Sequence, residues 1–315
     1  MRAFLLALVA AVLAIPASHA EVTLKVGKAS PTAATMIPLE VGVKEGFFAK
    51  RGLAVEIYNF GGGSKLHQAM TAGSLDMGVG AGTDLALIAK GAPELAVANC
   101  AGPLLFIGMA VPKDSPAKSL ADLKGARIGV TTVPSLTYWL ALELARQRGW
   151  GPNGVTPIAV GGEASSSLAA FRTHTVDAGI ISTAVALQME AQGEARLIAP
   201  VSSWAGELGG SVVFASRALI ASHPDAIRQF ILAWFDAVRF MRANREATVK
   251  IGAEMTGMPL AIQSKEYDLT MPMFNTDGRF DAEILATLKR SFADQKLLAR
   301  PPDMTKLYTE EFLPK

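Results

Sequence analysis

One segment of the chain occurs twice, and this repeat limits the folds that the chain can adopt. Residues 61–79 return in a weaker form as residues 162–180, 101 residues later and without a gap. Corresponding positions are Gly61 and Gly162, Ser64 and Ser165, and Asp76 and Asp177. Each copy predicts a glycine-containing turn, a short helix that begins at serine, a break and a strand. This spacing exceeds the roughly 20–50 residues of solenoid repeats, so we expect two lobes of similar build.

The rest of the chain fits an α/β fold with two lobes. Strands alternate with helices from Leu24 to about residue 180, which predicts two mostly parallel sheets flanked by helices. Beyond Pro224 the pattern is helical, with an apolar stripe that predicts a long helix over residues 224–244. We assign residues 21–111 and 212–315 to lobe one, and residues 112–211 to lobe two. The two connections near Val111 and Val212 then form a hinge.

A two-lobed α/β fold places candidate ligand-binding groups in the cleft between its lobes. Ligands of such folds collect where strand ends meet helix N-termini, whose free N–H groups favour anions and polarised oxygens. Predicted helices begin near Ser64, Thr83 and Ser135, and these three N-termini can converge on one small ligand. The alternative is that Ser64 and Ser135 only cap their helices, which serines commonly do.

The first twenty residues have the features of a secretory signal peptide. Arg2 precedes an apolar run from Ala3 to Ile15, and small residues follow up to Ala20. The run is shorter than the roughly 20 apolar residues of a membrane-spanning helix, so an anchor is the less favoured alternative. We therefore predict that residues 1–20 are removed and that the mature protein is exported to the periplasm.

Charge and cysteine content exclude several classes of partner. After loss of Arg2 the chain has 29 basic and 28 acidic residues, which gives no basic surface for nucleic acid or an anionic membrane. Cys100 is the single cysteine, so no internal disulfide can form. It lies in an apolar run, and we expect a buried structural thiol.

Three motifs resemble those of a known family. They are Val43–Leu53 (VKEGFFAKRGL), Ala72–Asp76 (AGSLD) and Ser119–Gly125 (SLADLKG). Together they resemble the nitrate/sulfonate/taurine/thiamine-precursor family of ABC-transporter substrate-binding proteins. The resemblance implies a two-lobed type II periplasmic-binding-protein fold and a monomer that binds a small molecule. It also implies delivery of that molecule to an ABC permease in the inner membrane.

The resemblance further implies which segments contact the ligand. These are the loop after the first strand, the glycine-rich turn, the turn after the third strand, the turn that opens the long lobe-two helix, and the segment after the second-copy strand. In this sequence they carry Ser30, Thr32, Gly62, Gly63, Ser64, Gly82, Thr83, Asp84, Thr132, Ser135, Thr137, Ser182 and Thr183. Sulfonate binders often have an aromatic or acidic pair in the last segment. Ser182–Val185 (STAV) lacks one, which argues against a sulfonate.

The predicted cleft has few charged residues. We expect Lys28 to be an exposed lysine, whereas Asp84 and Glu163 either meet a cationic group or cap helices. Trp204 either stacks on a ligand or packs beneath its loop. The polar groups favour a small carboxylate or a neutral polar compound over a phosphate, and we predict neither a metal ion nor a cofactor.

Two other functions are weighed against solute binding. An enzyme is disfavoured because the chain has no G-x-S-x-G and no H-E-x-x-H motif, and Ser115–Lys118 matches S-x-x-K without its partner motifs. The pyrimidine-synthase branch that the family resembles would need a cysteine cluster. A periplasmic protein that presents its ligand to a signalling partner stays open, because the sequence does not separate sensing from transport.

Overall fold

The computed structural model describes residues 21–205, 208–296 and 298–315, and the predicted signal peptide lies outside these residues. This part of the chain forms ten strands and eleven α-helices. The strands are β1 (Val22–Lys28), β2 (Leu53–Asn59), β3 (Met77–Gly80), β4 (Glu94–Ala101), β5 (Ile107–Pro112), β6 (Arg127–Val130), β7 (Thr156–Ala159), β8 (Ala178–Ser182), β9 (Ala195–Pro200) and β10 (Ser211–Ser216). The helices are α1 (Ile37–Lys44), α2 (Gly63–Thr71), α3 (Leu85–Ala89), α4 (Leu136–Gln147), α5 (Ala164–Arg172), α6 (Thr183–Ala191), α7 (Arg217–Ser222), α8 (Pro224–Ala243), α9 (Arg245–Thr256), α10 (Leu260–Thr270) and α11 (Ala282–Asp294).

The strands form two five-stranded sheets with the same topology. The first sheet has the order β2-β1-β3-β10-β4, and the second has the order β7-β6-β8-β5-β9. In each sheet four strands run parallel to one another, and the fourth strand in the order, β10 or β5, is antiparallel to its neighbours. The α/β prediction with two mostly parallel sheets is therefore confirmed.

The sequence repeat occupies equivalent places in the two sheets. The first copy forms α2 and β3, and the second forms α5 and β8. The aspartate shared by the copies has the same structural role in both. Asp76 Oδ2 accepts a hydrogen bond from the Lys25 backbone N at 2.8 Å, and Asp177 Oδ2 accepts one from the Arg127 backbone N at 2.8 Å. The aspartate of each copy therefore links two neighbouring parallel strands of its sheet.

Strand β5 differs from its predicted position. The sequence analysis placed residues up to 111 in lobe one, but β5 pairs with β8 and β9 in the second sheet. The chain therefore leaves the first sheet after Ala101 and not at Val111. It returns between the end of β9 and the start of β10, close to the predicted position at residue 212.

Other differences concern helices. Helix α1 ends at Lys44, because Gly46 turns the chain in the left-handed region with φ of 72°. The long helix expected over residues 224–244 is α8, and its apolar stripe, including Ile231 and Trp234, is fully buried. The sequence analysis missed α6, α7, β9 and α10.

The C-terminal helices contact both halves of the molecule. Helix α10 packs on α9 beside the first sheet and also on α6 beside the second. Its Glu266 is fully buried, and burial raises the pKa of this carboxyl to about 7 although Gln263 and the Ala184 backbone donate to it. Trp139 Nε1, on α4, donates to Asp294 Oδ2 on α11 at 3.2 Å. No helix within the described ranges is long and apolar enough to cross a membrane.

Candidate ligand-binding cleft

A cavity that opens to solvent lies between the two sheets, and together with the solvent at its mouth it occupies about 770 Å³. Both copies of the repeat line it, through Gly62 and Gly63 from the first and Gly162 and Glu163 from the second. The two copies approach each other at its edge, where a Cβ added to Gly162 would lie 3.5 Å from Gly61 Cα. The repeated turns therefore face a shared hollow.

Eight of the thirteen residues predicted to contact a ligand line this cavity. They are Ser30, Thr32, Gly62, Gly63, Asp84, Ser135, Thr137 and Ser182. Gly62 has φ of 136°, and an added Cβ there would lie 2.6 Å from the Thr132 side chain. Only glycine suits this position, both for its backbone conformation and for its close approach to the opposite half.

The other five predicted residues have structural contacts and do not line the cavity. Ser64 Oγ donates to the Pro134 carbonyl at 2.6 Å, and Thr132 Oγ1 donates to the same oxygen at 3.3 Å. Gly82 packs against Leu288 and donates its N–H to the Gly209 carbonyl, while Thr83 is buried. Thr183 Oγ1 donates to the Leu105 carbonyl at 3.2 Å. In this structure Ser64 therefore joins the two halves at the rim of the cavity.

Hydroxyl groups form a small network on the second-sheet side. Ser135 Oγ lies 3.1 Å from Thr137 Oγ1, which lies 3.0 Å from Thr131 Oγ1 and accepts from the Thr131 backbone N. Ser135 Oγ also accepts from the Tyr138 backbone N at 3.1 Å, so it is the N-cap of α4. Ser182 similarly caps α6 by accepting from Val185 N. Both serines cap helices and line the cavity.

Because Ser135 caps α4, we expect Ser135→Ala to lower the stability of the ligand-free protein. Loss of an N-cap hydroxyl typically costs about 1 kcal/mol, so the free energy of unfolding should fall by about that amount. Urea denaturation of the ligand-free protein measures it. Ser30→Ala is the matched control, because Ser30 caps no helix and its hydroxyl forms no hydrogen bond with the described residues. Equal stability of Ser135→Ala and wild type would contradict a capping contribution.

Much of the cavity wall is apolar, and the sequence analysis did not identify this part. Its side chains are Met36, Phe106, Ile107, Leu136, Ile180, Ile181 and Val185. In the sequence, apolar residues at strand ends look the same whether they face the core or a cleft. The repeat was the available signal for Gly162, since its first-copy counterpart, Gly61, begins the predicted glycine-rich turn.

The charge in the cavity is acidic. Asp84 and Glu163 are the ionisable side chains in the lining that the structure describes. Lys28 is not exposed as expected: it is 2% exposed and paired with Glu40 Oε1 at 2.6 Å. Trp204 is buried and does not line the cavity.

A buried ionic cluster lies behind Asp84. Glu94 Oε1 lies 2.5 Å from His67 Nδ1, and Asp84 Oδ2 lies 3.4 Å from His67 Nε2. All three side chains are at least 95% buried. Burial lowers the pKa of His67, but the neighbouring Asp84 carboxyl and the hydrogen-bonded Glu94 outweigh this effect and raise the pKa to about 9. His67 is therefore an imidazolium held between two carboxylates at neutral pH.

The fold and the cleft define the class of protein. Two sheets of like topology around a shared cavity form the type II periplasmic-binding-protein fold. The chain belongs to the NMT1/THI5-like family, whose model matches residues 33–248.

The chain is also similar to a curated relative, and several solved structures share its fold. A binding protein of Brucella abortus (strain 2308) is 29% identical over 220 residues, which are 68% of this chain and 66%, just under two thirds, of the relative. The alkanesulfonate-binding protein SsuA from Xanthomonas axonopodis pv. citri, bound to MOPS, superposes with a TM-score of 0.79 at 22% identity, covering 93% of this chain and 99% of SsuA. The aliphatic sulphonate binding protein SsuA from Escherichia coli gives a TM-score of 0.74 at 21% identity. This match covers 91% of the present chain and 92% of the Escherichia coli chain. The desulfurization enzyme DSZB shares the fold with a TM-score of 0.65 at 18% identity, covering 92% and 97%.

Proposed function

We propose that this protein is an extracytoplasmic solute-binding protein that captures a small polar organic ligand in the cleft and delivers it to an ABC-type permease. The observation that carries the proposal is the cavity itself, which both copies of the repeat line. Family membership and the sulfonate-binding proteins among the structural neighbours support capture in preference to catalysis. Removal of residues 1–20 as a signal peptide and a periplasmic location belong to the same proposal.

The residues that line the cavity favour a narrower class of ligand than the sequence suggested. An anionic ligand was among the expectations, but the described lining contributes two carboxylates and no lysine or arginine. Hydroxyls and main-chain groups can bind a neutral polar compound, and the apolar wall suits a hydrophobic body. We therefore do not carry a sulfonate over from the neighbouring proteins.

We propose that ligand binding involves closure of the two lobes about the connections after β4 and before β10. The permease would recognise the closed form. In this scheme Ser64 and Pro134 make a contact of the closed form. A signalling partner that recognises the same closed form is the second candidate, and deletion of the associated permease distinguishes them by abolishing uptake only in the transport case.

The direct test is native mass spectrometry of the mature protein, followed by a thermal-shift panel of carboxylates, sulfonates, amines and pyrimidines. Since the ligand binds only the folded protein, saturation at about a hundred times its Kd adds about 2.7 kcal/mol of stability. We expect one compound class to raise the Tm and to be recovered unchanged. A compound that is converted to a product, with no stabilising ligand found, would support the enzyme alternative. The same spectra give the oligomeric state, for which a monomer is expected.

A further inference from the structure

Asp84 is a largely buried acidic side chain in the wall of the cavity. Its side chain is 5% exposed and lines the cavity. An added Cβ would lie 2.6 Å from Asp84 Oδ2 at Gly63 and 2.5 Å from the same oxygen at Gly80. Both glycines also line the cavity, so the missing side chains leave room for the carboxylate at its floor.

The two oxygens of Asp84 differ in their partners. Oδ2 accepts from the Ala81 backbone N at 3.1 Å and faces His67 Nε2. Within the described ranges no group donates to Oδ1. Oδ1 is therefore free to accept from a ligand, and a charge-assisted hydrogen bond to a carboxylate in a largely buried side chain is strong.

The cluster behind Asp84 fixes its orientation and leaves an excess of negative charge. The cluster contains two acidic side chains, Asp84 and Glu94, and one basic side chain, His67, so the acidic groups outnumber the basic ones. Glu94 Oε2 is buried without a partner, so the protein does not neutralise this excess locally. The raised pKa of His67 is consistent with the same field.

Asp84 also occupies the position in which an anion would otherwise bind. It packs against Gly63, the first residue of α2, so the carboxylate lies at the positive end of that helix. Lys28, at the end of β1, is already paired with Glu40. An incoming anion would meet Asp84 on the first-sheet side and Glu163 on the second-sheet side.

From this geometry we infer that the ligand carries a cationic N–H group, such as an amidinium or an ammonium, which donates to Asp84 Oδ1 while its apolar body packs against Phe106, Ile107 and Ile180. This inference rests on the proposed function and adds the ligand class to it. A cationic N–H group donates a hydrogen bond to Asp84 Oδ1 and also brings a positive charge to the acidic cluster. A neutral amide donates the hydrogen bond but brings no charge.

Three probes of similar shape and different charge test the inference: benzamidine, benzamide and benzoate. Their Kd values are measured by isothermal titration calorimetry on the mature protein at neutral pH. We expect benzamidine to bind about tenfold or more tightly than benzamide, because a charge-assisted hydrogen bond is roughly twice as strong as a neutral one. Benzoate should bind more weakly than both.

Asp84→Asn keeps the size of the side chain and removes its charge, so it should reduce the benzamidine preference to less than about twofold. Asp225→Asn is the matched control. It removes one charge from an aspartate whose side chain is 93% exposed on α8, and it should leave the preference unchanged. If Asp84→Asn does not fold, the comparison of probes on the wild-type protein decides the question.

The inference is overturned if benzoate binds more tightly than benzamidine, if Asp84→Asn keeps the preference, or if no probe binds at millimolar concentrations. Capture in the cleft survives all three results, because it is tested by the wider panel and by native mass spectrometry. Conversion of panel compounds without capture would remove the proposed function and the inference together.

Discussion

Paired cysteines in place of Gly61 and Gly162 are expected to form a disulfide that joins the two halves of the cleft. A Cβ at Gly162 would lie 3.5 Å from Gly61 Cα, and neither glycine has a left-handed φ. With a Cα–Cβ bond of about 1.5 Å, the two Cα atoms lie no more than about 5 Å apart, which is within the reach of a disulfide. The native Cys100 is fully buried, and burial raises the pKa of its thiol, so it should not compete in thiol exchange.

The bond should have a large effect on stability. It closes a loop of about 100 residues, for which the chain-entropy model gives a stabilisation of about 4–5 kcal/mol. Denaturant unfolding with and without dithiothreitol measures this difference on the same sample. The bond should also slow the exchange of any compound identified by the thermal-shift panel, since exchange requires the cleft to open.

The single variants Gly61→Cys and Gly162→Cys serve as controls, because neither can form the bond and both should respond equally to oxidant and reductant. A double variant that stays reduced under oxidising conditions would show that the two turns do not meet in solution. Formation of the bond with unchanged exchange would instead contradict opening of the cleft at this edge.

Replacing His67 by Gln is expected to destabilise the protein by about 3–5 kcal/mol at neutral pH, the usual cost of breaking a buried ion pair. Glutamine has a similar length but no charge, so Asp84 and Glu94 would remain buried without their shared cation. The loss is measured by urea denaturation at pH 7.

The raised pKa of His67 predicts that the stability of the wild-type protein depends on pH. This pKa is about 9 in the folded state, above the 6.5 of the free side chain, so between these values the folded state holds more protons than the unfolded state. Stability is therefore fully present below about pH 6.5 and falls as the pH rises to about 9, by about 3 kcal/mol at 1.36 kcal/mol for each pKa unit. His67→Gln should lose this slope.

His223→Gln is the control for the pH series. His223 is exposed, and among the described residues its ring bonds to the neighbouring Ser222 hydroxyl alone, so its replacement should leave the slope unchanged. A wild-type profile that stays flat from pH 6.5 to 9 would contradict an imidazolium in the buried cluster.

The repeat allowed much of the fold to be predicted from sequence, because its pattern is local. The turn, short helix and strand of each copy correspond to α2 and β3 and to α5 and β8, but the helices begin at Gly63 and Ala164 and their serines do not cap them. Neighbouring parallel strands and the cleft between the copies follow from chain connectivity. The side of the cleft that carries hydroxyls was likewise visible in Ser135 and Thr137.

The parts that could not be predicted depend on contacts between distant segments. A buried strand such as β5 has the same sequence character in either sheet, so its neighbours decide where it pairs. We expected Lys28 to be exposed, because the sequence does not show that Glu40 on α1 forms an ion pair with it. The pairing of His67 with Glu94 and Asp84 likewise forms only when α2, β4 and the turn after β3 pack together.

The antiparallel strands make the two sheets depend on different lengths of the chain. The second sheet is built from β5 to β9, which form one continuous stretch that ends at Pro200. In the first sheet β10 lies between β3 and β4, so these two strands have no common neighbour without Ser211–Ser216. A chain truncated after β9 would therefore contain every strand of the second sheet but would leave the first sheet divided between β3 and β4.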